Sequence, residues 1–194
     1  MEYDEYLSGL PTLDENNDSV KFTVREGRLE EANLIGKIIN KAFVEGDAWF
    51  KKAENHVRFD REGKRMAQIL SDRENSRILV AETDDDNKYL IGAVLLDWKD
   101  TVGHWGALSC PYIYSGRGVG TKLVQTSINF FKSMENVKKI EITVLSTKNE
   151  RLVAWYEQKG LKKIDGEYDF VAPKIVLDEY KGKIKMISME MPCV

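Results

Sequence analysis

The chain has 194 residues, of which 42% are hydrophobic and 31% are charged, and its formal net charge is −3. This length and balance favour one soluble globular domain, and no apolar run approaches the ~20 residues that span a bilayer. Two cysteines give neither a disulfide framework nor a metal-ligand spacing, and there is no dense basic patch of the kind that binds nucleic acid. The composition predicts a cytoplasmic protein, with access to the nucleus equally compatible.

The first 20 residues differ from the rest in charge. Six acidic side chains and no lysine or arginine lie in this segment. A segment of this composition is predicted to be a flexible, solvated acidic arm over residues 1–20, followed by a single domain over residues 21–194. The alternative is an arm that packs on the domain through Tyr3, Tyr6 and Leu10.

Apolar periodicity separates the strands of the domain from its helices. The predicted strands are 21–26, 78–82, 89–97, 105–110, 139–145, 162–164 and 183–191. The predicted helices are 30–43, 61–70, 119–134 and 149–159. Gly160 is expected to end the last helix as a C-cap, and residues 169–182 are expected to form a long loop. The chain therefore mixes strands and helices in one α/β domain.

An apolar strand runs into a glycine-rich turn that opens a helix over residues 108–123. Gly116, Gly118 and Gly120 let the backbone approach an anion, and the first amides of the helix point at that anion. The junction therefore predicts a diphosphate ligand. The glycine spacing fits neither the dinucleotide fingerprint nor the P-loop, which argues against both kinds of nucleotide-binding domain. The alternative is an ordinary tight turn between a strand and a helix.

A second motif occupies residues 149–161, which read N-E-R-L-V-A-W-Y-E-Q-K-G-L. The glycine-rich turn resembles the [QR]-x-x-G-x-[GA] signature of the GNAT (Gcn5-related N-acetyltransferase) superfamily, and the second motif resembles that family's N-x-x-A-x-x-x-Y-x-x-x-G-F pattern. The likeness covers residues 21 to 165. It departs from the family at Ser115, usually Gln or Arg, at Leu152, usually alanine, and at Leu161, usually phenylalanine. The resemblance implies a mixed α/β fold with a central, twisted, mostly antiparallel mixed sheet flanked by helices.

The resemblance also implies acetyl-CoA as co-substrate and no metal. The pyrophosphate is expected on the backbone amides of the glycine-rich turn, with a screened attraction from Arg117 or Lys122. The strand before the turn is expected to present backbone groups to the pantetheine arm and to bulge, so that an amide faces the thioester oxygen. The residues expected to bind acetyl-CoA are Leu108, Ser109, Cys110, Ser115, Gly116, Arg117, Gly118, Val119, Gly120, Thr121, Asn149 and Tyr156.

Two residues carry the predicted catalysis. By the resemblance, the Tyr156 hydroxyl protonates the leaving thiolate, while Asn149 on the same helix face bonds the coenzyme arm; the alternative for Tyr156 is a packing role. His104 lies eleven residues before Ser115, the spacing at which histone-modifying members of the family place a basic glutamate. His104 is therefore the predicted base, and the alternative is a turn residue near the start of its strand. Further candidates for the base are Glu82, Asp97 and His56.

The favoured hypothesis is an N-acetyltransferase, an acyltransferase that moves an acetyl group directly from acetyl-CoA to a primary amine. A covalent route through Cys110 is disfavoured, because no histidine or acidic partner is adjacent to it in the sequence. The alternative hypothesis is a non-catalytic acyl-CoA-binding or sensing module, against which Tyr156 argues. Residues 46–59 and 168–180, with acidic and aromatic side chains, are predicted to line a site for a cationic amine, free or on a protein. A monomer or homodimer is expected, with no nucleic-acid or membrane partner.

Overall fold

The computed structural model describes residue 6 and residues 20–46, 63–145, 150–164, 166–169 and 183–193, with the backbone alone for residues 43–46. The strands are β1 (Phe22–Glu26), β2 (Ser76–Thr83), β3 (Leu90–Lys99), β4 (Val102–Ser109), β5 (Lys139–Leu145), β6 (Lys162–Lys163), β7 (Tyr168–Asp169) and β8 (Lys185–Pro192). The helices are α1 (Ala32–Gly46), α2 (Lys64–Ser71), α3 (Val119–Lys132) and α4 (Glu150–Glu157), with single 3-10 turns at Leu29–Glu31 and Tyr112–Tyr114.

The strands form one sheet in the order β1-β2-β3-β4-β5-β8-β6, and β7 also pairs with β8. Every pairing is antiparallel except that of β4 with β5, which is parallel. A parallel pair needs a crossover connection, and α3 supplies it between these two strands. The predicted mixed α/β fold, with a mostly antiparallel sheet and flanking helices, is confirmed.

The helices cover both faces of the sheet. The ring of Trp98 in β3 packs against Phe130 of α3, with 5.6 Å between ring centroids, so α3 covers one face. Successive residues of a strand point to opposite faces, so Leu95 of β3 points to the other face. Ile78 of β2 lies opposite Leu95 and meets side chains of α1 and α2 around Gly27. Helices α1 and α2 therefore cover the face opposite α3.

Glycine at position 103 lets α3 lie close against β4. A Cβ at this position would stand 2.6 Å from the ring of Phe131, which is fully buried. Any larger residue would push the helix away from the sheet. The close approach therefore holds the C-terminal end of α3 against the start of β4.

The predicted start of β4 is wrong. The strand begins at Val102 rather than at residue 105, because Asp100 adopts a left-handed φ of 55° and allows Lys99 to pair with Val102 in a tight hairpin. Gly103 and Gly106 interrupt the apolar alternation by which the strand would have been recognised. Position 169 is also paired, as part of β7, rather than opening a loop. In contrast, β5 has its predicted bounds.

Tyr6 is docked on the domain and is 6% exposed. Its hydroxyl donates to the carbonyl of Leu90 at 2.9 Å and accepts from the amide of Leu90 at 2.6 Å. Its ring also meets Tyr89 edge to face, with 5.7 Å between centroids. Tyr6 is therefore packed against the domain, whereas Tyr3 and Leu10 lie outside the described residues, so the acidic arm over residues 1–20 stays a prediction. Among the described helices, none combines the length and apolar character needed to cross a membrane.

Candidate active site

A gap opens between β4 and β5, the two parallel strands. Within these described strands the pairing joins only Val102, Gly103 and His104 to residues 139–141. Beyond this point, β4 continues along β3 and β5 continues along β8. The two strands thus diverge after His104, and the edges that face each other there are not paired. Such edges offer backbone groups to a ligand that enters as an additional strand.

Strand β4 bulges on the way to the glycine-rich turn. Leu95 lies opposite Gly106 but Ala93 lies opposite Ser109, so β4 contains one residue more than β3 between these pairs. Ala107 has a φ of 51°, a conformation that a non-glycine residue rarely adopts, and the Ser109 hydroxyl donates to the Ala107 carbonyl at 2.9 Å. A bulge redirects the peptide groups of its strand. The expectation of a bulge before the turn is confirmed.

The glycine-rich turn has the geometry of an anion site. Gly116 and Gly118 have φ values of 76° and 85°, and Gly118 is the N-cap of α3. The first intrahelical bond runs from the Lys122 amide to the Gly118 carbonyl at 2.9 Å, so the amides of the first turn before it have no acceptor within the helix. Among the described residues, nothing lies within 4 Å of a Cβ built at Gly116, Gly118 or Gly120. Free amides beside open space fit a pyrophosphate.

The residues around this turn differ in exposure. Ser115 is exposed, and its amide donates to the Tyr112 carbonyl at 2.9 Å, which leaves its hydroxyl at the surface. Arg117 is half-buried and Lys122 is exposed. A hydroxyl reaches less far than the Gln or Arg usual at this position, so the backbone amides carry the larger share of the anion-binding capacity.

Tyr156 lies on α4 beside the start of the gap and is 6% exposed. Its ring stands 6.3 Å from that of Trp105 on β4 and 4.9 Å from that of Trp155. The turn that follows Glu157, the last residue of α4, closes at Gly160, whose φ is 96°, and the Leu161 amide donates to the Tyr156 carbonyl at 3.3 Å. This confirms the C-cap and shows how the tyrosine backbone is held. Asn149 lies outside the described residues.

The Tyr156 hydroxyl is kept protonated at neutral pH. Burial raises the pKa of this phenol, and the neighbouring Trp105 indole lowers the pKa by a smaller amount. The two groups do not meet the geometry of a hydrogen bond, since the Trp105 Nε1 has no partner among the described residues. A phenol that is neutral at working pH can donate its proton to a thiolate.

His104 is a strand residue and not the turn residue of the alternative reading. It lies opposite Asp97 on β3, and its Nδ1 stands 3.0 Å from the Glu141 carbonyl oxygen. A carbonyl only accepts, so Nδ1 carries the proton and the neutral ring has its lone pair on Nε2. Partial burial raises the pKa of Asp97, and His104 lowers it by less. His104 thus has the tautomer that a base requires.

The other candidate bases are less suited. Glu82 accepts from Arg25 Nε at 3.0 Å, and Arg25 also bonds Glu31, so the Glu82 carboxylate belongs to a half-buried ion-pair cluster. His56 lies outside the described residues. Burial raises the pKa of the Cys110 thiol to about 12, which keeps it protonated and a poor nucleophile.

Two catalytic candidates approach the gap from opposite faces of the sheet. His104 and Trp105 are consecutive in β4 and point to opposite faces. Tyr156 contacts Trp105, so it lies on the face that α3 covers, while His104 points to the face of α1 and α2. Strand pairing places His104 beside Asp97 and Glu141, and packing of α4 places Tyr156 beside Trp105. The contact of Trp105 with Tyr156 was missed, because in the sequence Trp105 is one apolar position among many.

The predicted acceptor walls are mostly outside the described residues, which include only the start of the late segment. There the Tyr168 hydroxyl lies 3.4 Å from Ser188 Oγ, and Asp169 forms an ion pair with Lys185. In the described part of the chain, no group of three His, Cys, Asp or Glu side chains is placed to hold a metal ion.

Comparison with known proteins gives the same fold. The chain is similar to a spermidine N-acetyltransferase from Vibrio cholerae in complex with CoA and spermine, at 18% identity, with 89% of this chain and 95% of that chain covered and a TM-score of 0.65. It is also similar to a putative phosphinothricin N-acetyltransferase at 14% identity, with 90% and 99% covered and a TM-score of 0.69. An acetyltransferase of the GNAT family from Streptococcus pneumoniae matches at 15% identity, with 89% and 99% covered and a TM-score of 0.64.

The family is shown by sequence. No curated protein sequence matches the chain. The model of the Acetyltransferase (GNAT) family matches residues 43–161, more than half of the chain, and this range includes both the glycine-rich turn and the motif that carries Tyr156. The chain therefore belongs to the acetyltransferase (GNAT) family and is an N-acetyltransferase.

Proposed function

We propose that this protein transfers an acetyl group from acetyl-CoA directly to a primary amine. The observation that carries the proposal is the gap between β4 and β5, which begins at His104, contains the β4 bulge and ends at the open amides of α3. A phosphate site, an unpaired strand edge, an acid and a base thus follow one another along a single groove.

The chain's own residues supply the binding. The amides at the start of α3 and the positive end of its dipole hold the pyrophosphate, with Arg117 and Lys122 at the rim. The unpaired edge of β4 bonds the pantetheine arm as a further strand would. Of the residues expected in this role, Leu108 and Cys110 are half-buried and Ser109 is buried, which is compatible with contacts made by backbone alone. Bound acetyl-CoA supplies an activated acyl group on a thiol leaving group.

The side chains of His104 and Tyr156 transfer the protons. The acceptor arrives as an ammonium ion, because an amine of pKa about 10.4 is almost wholly protonated at pH 7. Nε2 of His104 takes one proton from it before the attack, directly or through a water molecule, and passes the proton to solvent. The second proton leaves the nitrogen after the C–N bond has formed and also goes to solvent. Tyr156 gives its hydroxyl proton to the sulfur as the C–S bond breaks. The products are the acetamide and the free thiol, and the bulged backbone of β4 stabilises the negative charge that develops on the carbonyl oxygen.

Direct transfer is favoured over a covalent route. The only cysteine near the gap is Cys110, whose raised pKa of about 12 leaves little thiolate at neutral pH. The amine therefore attacks the thioester while both substrates are bound. This predicts that initial rates fit a ternary-complex scheme and that no acetylated enzyme accumulates when the acceptor is withheld.

The acceptor class is a cationic amine. Asp97 lies next to His104 on the face away from α3, and a carboxylate there attracts an ammonium group toward the base. Because the structurally similar Vibrio cholerae enzyme is a spermidine N-acetyltransferase that was seen with spermine, polyamines are the first acceptors to test. Lysine side chains, amino-terminal residues and amino sugars carry the same reactive group.

The test is a panel of these amines, assayed for acceptor-dependent release of free thiol from acetyl-CoA, with mass spectrometry of the product. One acceptor should raise thiol release well above the hydrolysis seen without acceptor and yield a product heavier by one acetyl group. Acetyl-CoA that binds tightly in calorimetry but is not consumed with any amine would instead favour the acyl-CoA-binding or sensing module.

A further inference from the structure

Trp105 buries a hydrogen-bond donor that has no partner. The residue is 5% exposed, and its Nε1 is one of two buried side-chain polar atoms without a hydrogen bond among the described residues. A buried N–H group without an acceptor is destabilising, so folded proteins rarely keep one. A large apolar residue without a polar atom would fill the same space. The indole nitrogen therefore points to a role outside packing.

The position of Trp105 suggests which group the N–H serves. It follows His104, the last residue of β4 that pairs with β5, so it stands where the gap opens. It lies opposite Leu96 of β3 and points to the face that α3 covers. There its ring is 6.3 Å from that of Tyr156, with 41° between the ring planes. Tyr156 thus places a phenol ring beside Trp105 on this face.

The electrostatics agree with this placement. Burial raises the pKa of Tyr156, and Trp105 is the group that opposes the increase. An indole N–H donates and cannot accept. A donor stabilises the phenolate more than the phenol, and this preference lowers the pKa of an acid. The attraction between the Trp105 N–H and the Tyr156 oxygen therefore becomes stronger as the tyrosine loses its proton.

We propose that Trp105 is a positioning residue for catalysis, whose Nε1–H donates a hydrogen bond to the Tyr156 oxygen when that oxygen becomes a phenolate. This inference rests on the proposed role of Tyr156 as the acid. When the C–S bond breaks, its electron pair stays on sulfur. The Tyr156 O–H bond breaks and its proton goes to that sulfur. The phenolate left behind accepts from Trp105 and regains a proton from solvent, so that the cycle closes with no net charge on the enzyme.

A double-mutant cycle tests the coupling. Trp105→Phe keeps an aromatic ring and removes the N–H, and we expect it to lower kcat about tenfold while acetyl-CoA affinity in calorimetry stays within about threefold. In the Tyr156→Phe background the same change should alter kcat by less than about twofold, because the oxygen that the N–H serves is already absent. Equal losses in both backgrounds, or wild-type kcat in Trp105→Phe, would overturn the proposal.

Trp155 provides the matched control. Its ring is closer to Tyr156, at 4.9 Å between centroids, but it is half-buried and Lys159 lies 5.5 Å from its centroid. If packing of the tyrosine ring is what matters, Trp155→Phe will lower kcat as much as Trp105→Phe does, and the proposal fails. We expect Trp155→Phe to retain kcat within about threefold.

A measurement without any Trp105 variant guards against a folding defect. The chain has four tryptophans, and each gives an indole N–H resonance in protein labelled at tryptophan. In Tyr156→Phe the Trp105 resonance should move more than that of Trp98, which packs on Phe130. A Trp105 resonance that does not move contradicts the inference. A different result would refute the role of Tyr156 as the acid, namely a wild-type kcat in Tyr156→Phe.

Discussion

The two sides of β4 are built differently. Along β3 it is paired from Val102 to Ser109, with one bulge near the end. Along β5 it is paired for only three residues and then diverges. The fully paired side uses its backbone groups for stability, whereas the diverging side leaves them for a ligand. The chemistry of this domain is expected where its sheet stops pairing.

The same contrast separates two candidate bases. Glu82 lies in the paired half of the sheet, where its carboxylate and that of Glu31 both accept from Arg25 in a closed cluster. His104 lies where the pairing ends, with Nδ1 bound to a backbone carbonyl and Nε2 carrying the lone pair. A titratable side chain with its partners already in place contributes to stability. One that keeps a free lone pair is suited to proton transfer.

The largest expected effect is at the glycine-rich turn. Gly120→Asp should abolish acetyl-CoA binding in calorimetry, because the carboxylate stands where the phosphate would lie. The variant should fold, since no described residue lies within 4 Å of the new Cβ and an acid in a first helical turn stabilises a helix by about 0.3–1 kcal/mol. Gly118→Asp is a weaker test, because φ of 85° strains any side chain.

Gly120→Ala is the control for that change. The [GA] position of the family signature admits alanine, so this variant should keep acetyl-CoA affinity within about threefold, a small change in binding free energy. Unchanged affinity in a folded Gly120→Asp protein would place the pyrophosphate elsewhere.

His104→Ala should lower kcat/KM at pH 7 by about 10²–10⁴-fold, the usual contribution of a positioned base. The loss should shrink as pH rises, because free amine then accumulates without help from the enzyme. A pH–rate profile, measured with the best acceptor from the panel, checks this. A profile that superimposes on wild type would return the role to Asp97 or to water, and Asp97→Asn then separates these two.

Tyr156→Phe should lower kcat by about a hundredfold while acetyl-CoA affinity changes only a few-fold, since proton donation matters only in the transition state. The ring that packs on Trp105 and Trp155 is retained, so the fold should survive. The comparison is made with an acceptor for which chemistry is rate-limiting. Equal kcat in the two proteins would leave Tyr156 with a packing role alone.

Arg25→Met should destabilise the paired half of the sheet by about 3 kcal/mol at pH 7, because it leaves the buried Glu82 and the half-buried Glu31 without their cation. Burial opposes ionisation of Glu31, but its bonds to Arg25 and to the Arg28 amide outweigh this and lower its pKa. Because the pKa of Glu31 is lowered in the folded protein, its ionisation stabilises the fold at pH values above its unfolded pKa of about 4.3. This stabilisation is lost as the pH falls below that value. The difference from wild type should therefore shrink in acid.

Urea unfolding at neutral and acidic pH measures this effect. Arg73→Met is the control, since Arg73 pairs with Glu26 at the surface and should contribute less than about 1 kcal/mol. If Arg25→Met costs no more than Arg73→Met, the cluster around Glu82 is not a stabilising one, and the contrast with His104 is lost.

Tyr6→Phe should have the smallest effect, about 1–2 kcal/mol, because it deletes the hydroxyl that bonds both backbone groups of Leu90. Without the hydroxyl, the buried amide and carbonyl of Leu90, at the start of β3, lose the hydrogen bonds that Tyr6 provides. Thermal unfolding measures the loss. A variant as stable as wild type would indicate that the hydrogen bonds of the Tyr6 hydroxyl contribute nothing to stability.

The local features of this chain could be read from its sequence. Gly116 and Gly118 predict a tight turn before a helix, because glycine adopts a positive φ without strain. The same holds for β5, whose alternation of apolar residues gave its bounds, and for Gly160, which ends α4 with a positive φ. Periodicity and torsional preference act between neighbours and therefore leave a trace in sequence.

Tertiary structure decided the features that join distant residues. Whether Glu82 or His104 is available as a base depends on Arg25, 57 residues from Glu82, and on the Glu141 carbonyl, 37 residues from His104. The Tyr6 contact with Leu90 spans 84 residues, and the buried N–H of Trp105 acquires meaning only beside Tyr156. Contacts of this kind depend on strand register and helix packing, which have no period in the sequence. The motifs alone therefore determined the family, and the sheet decided which side chains face the gap.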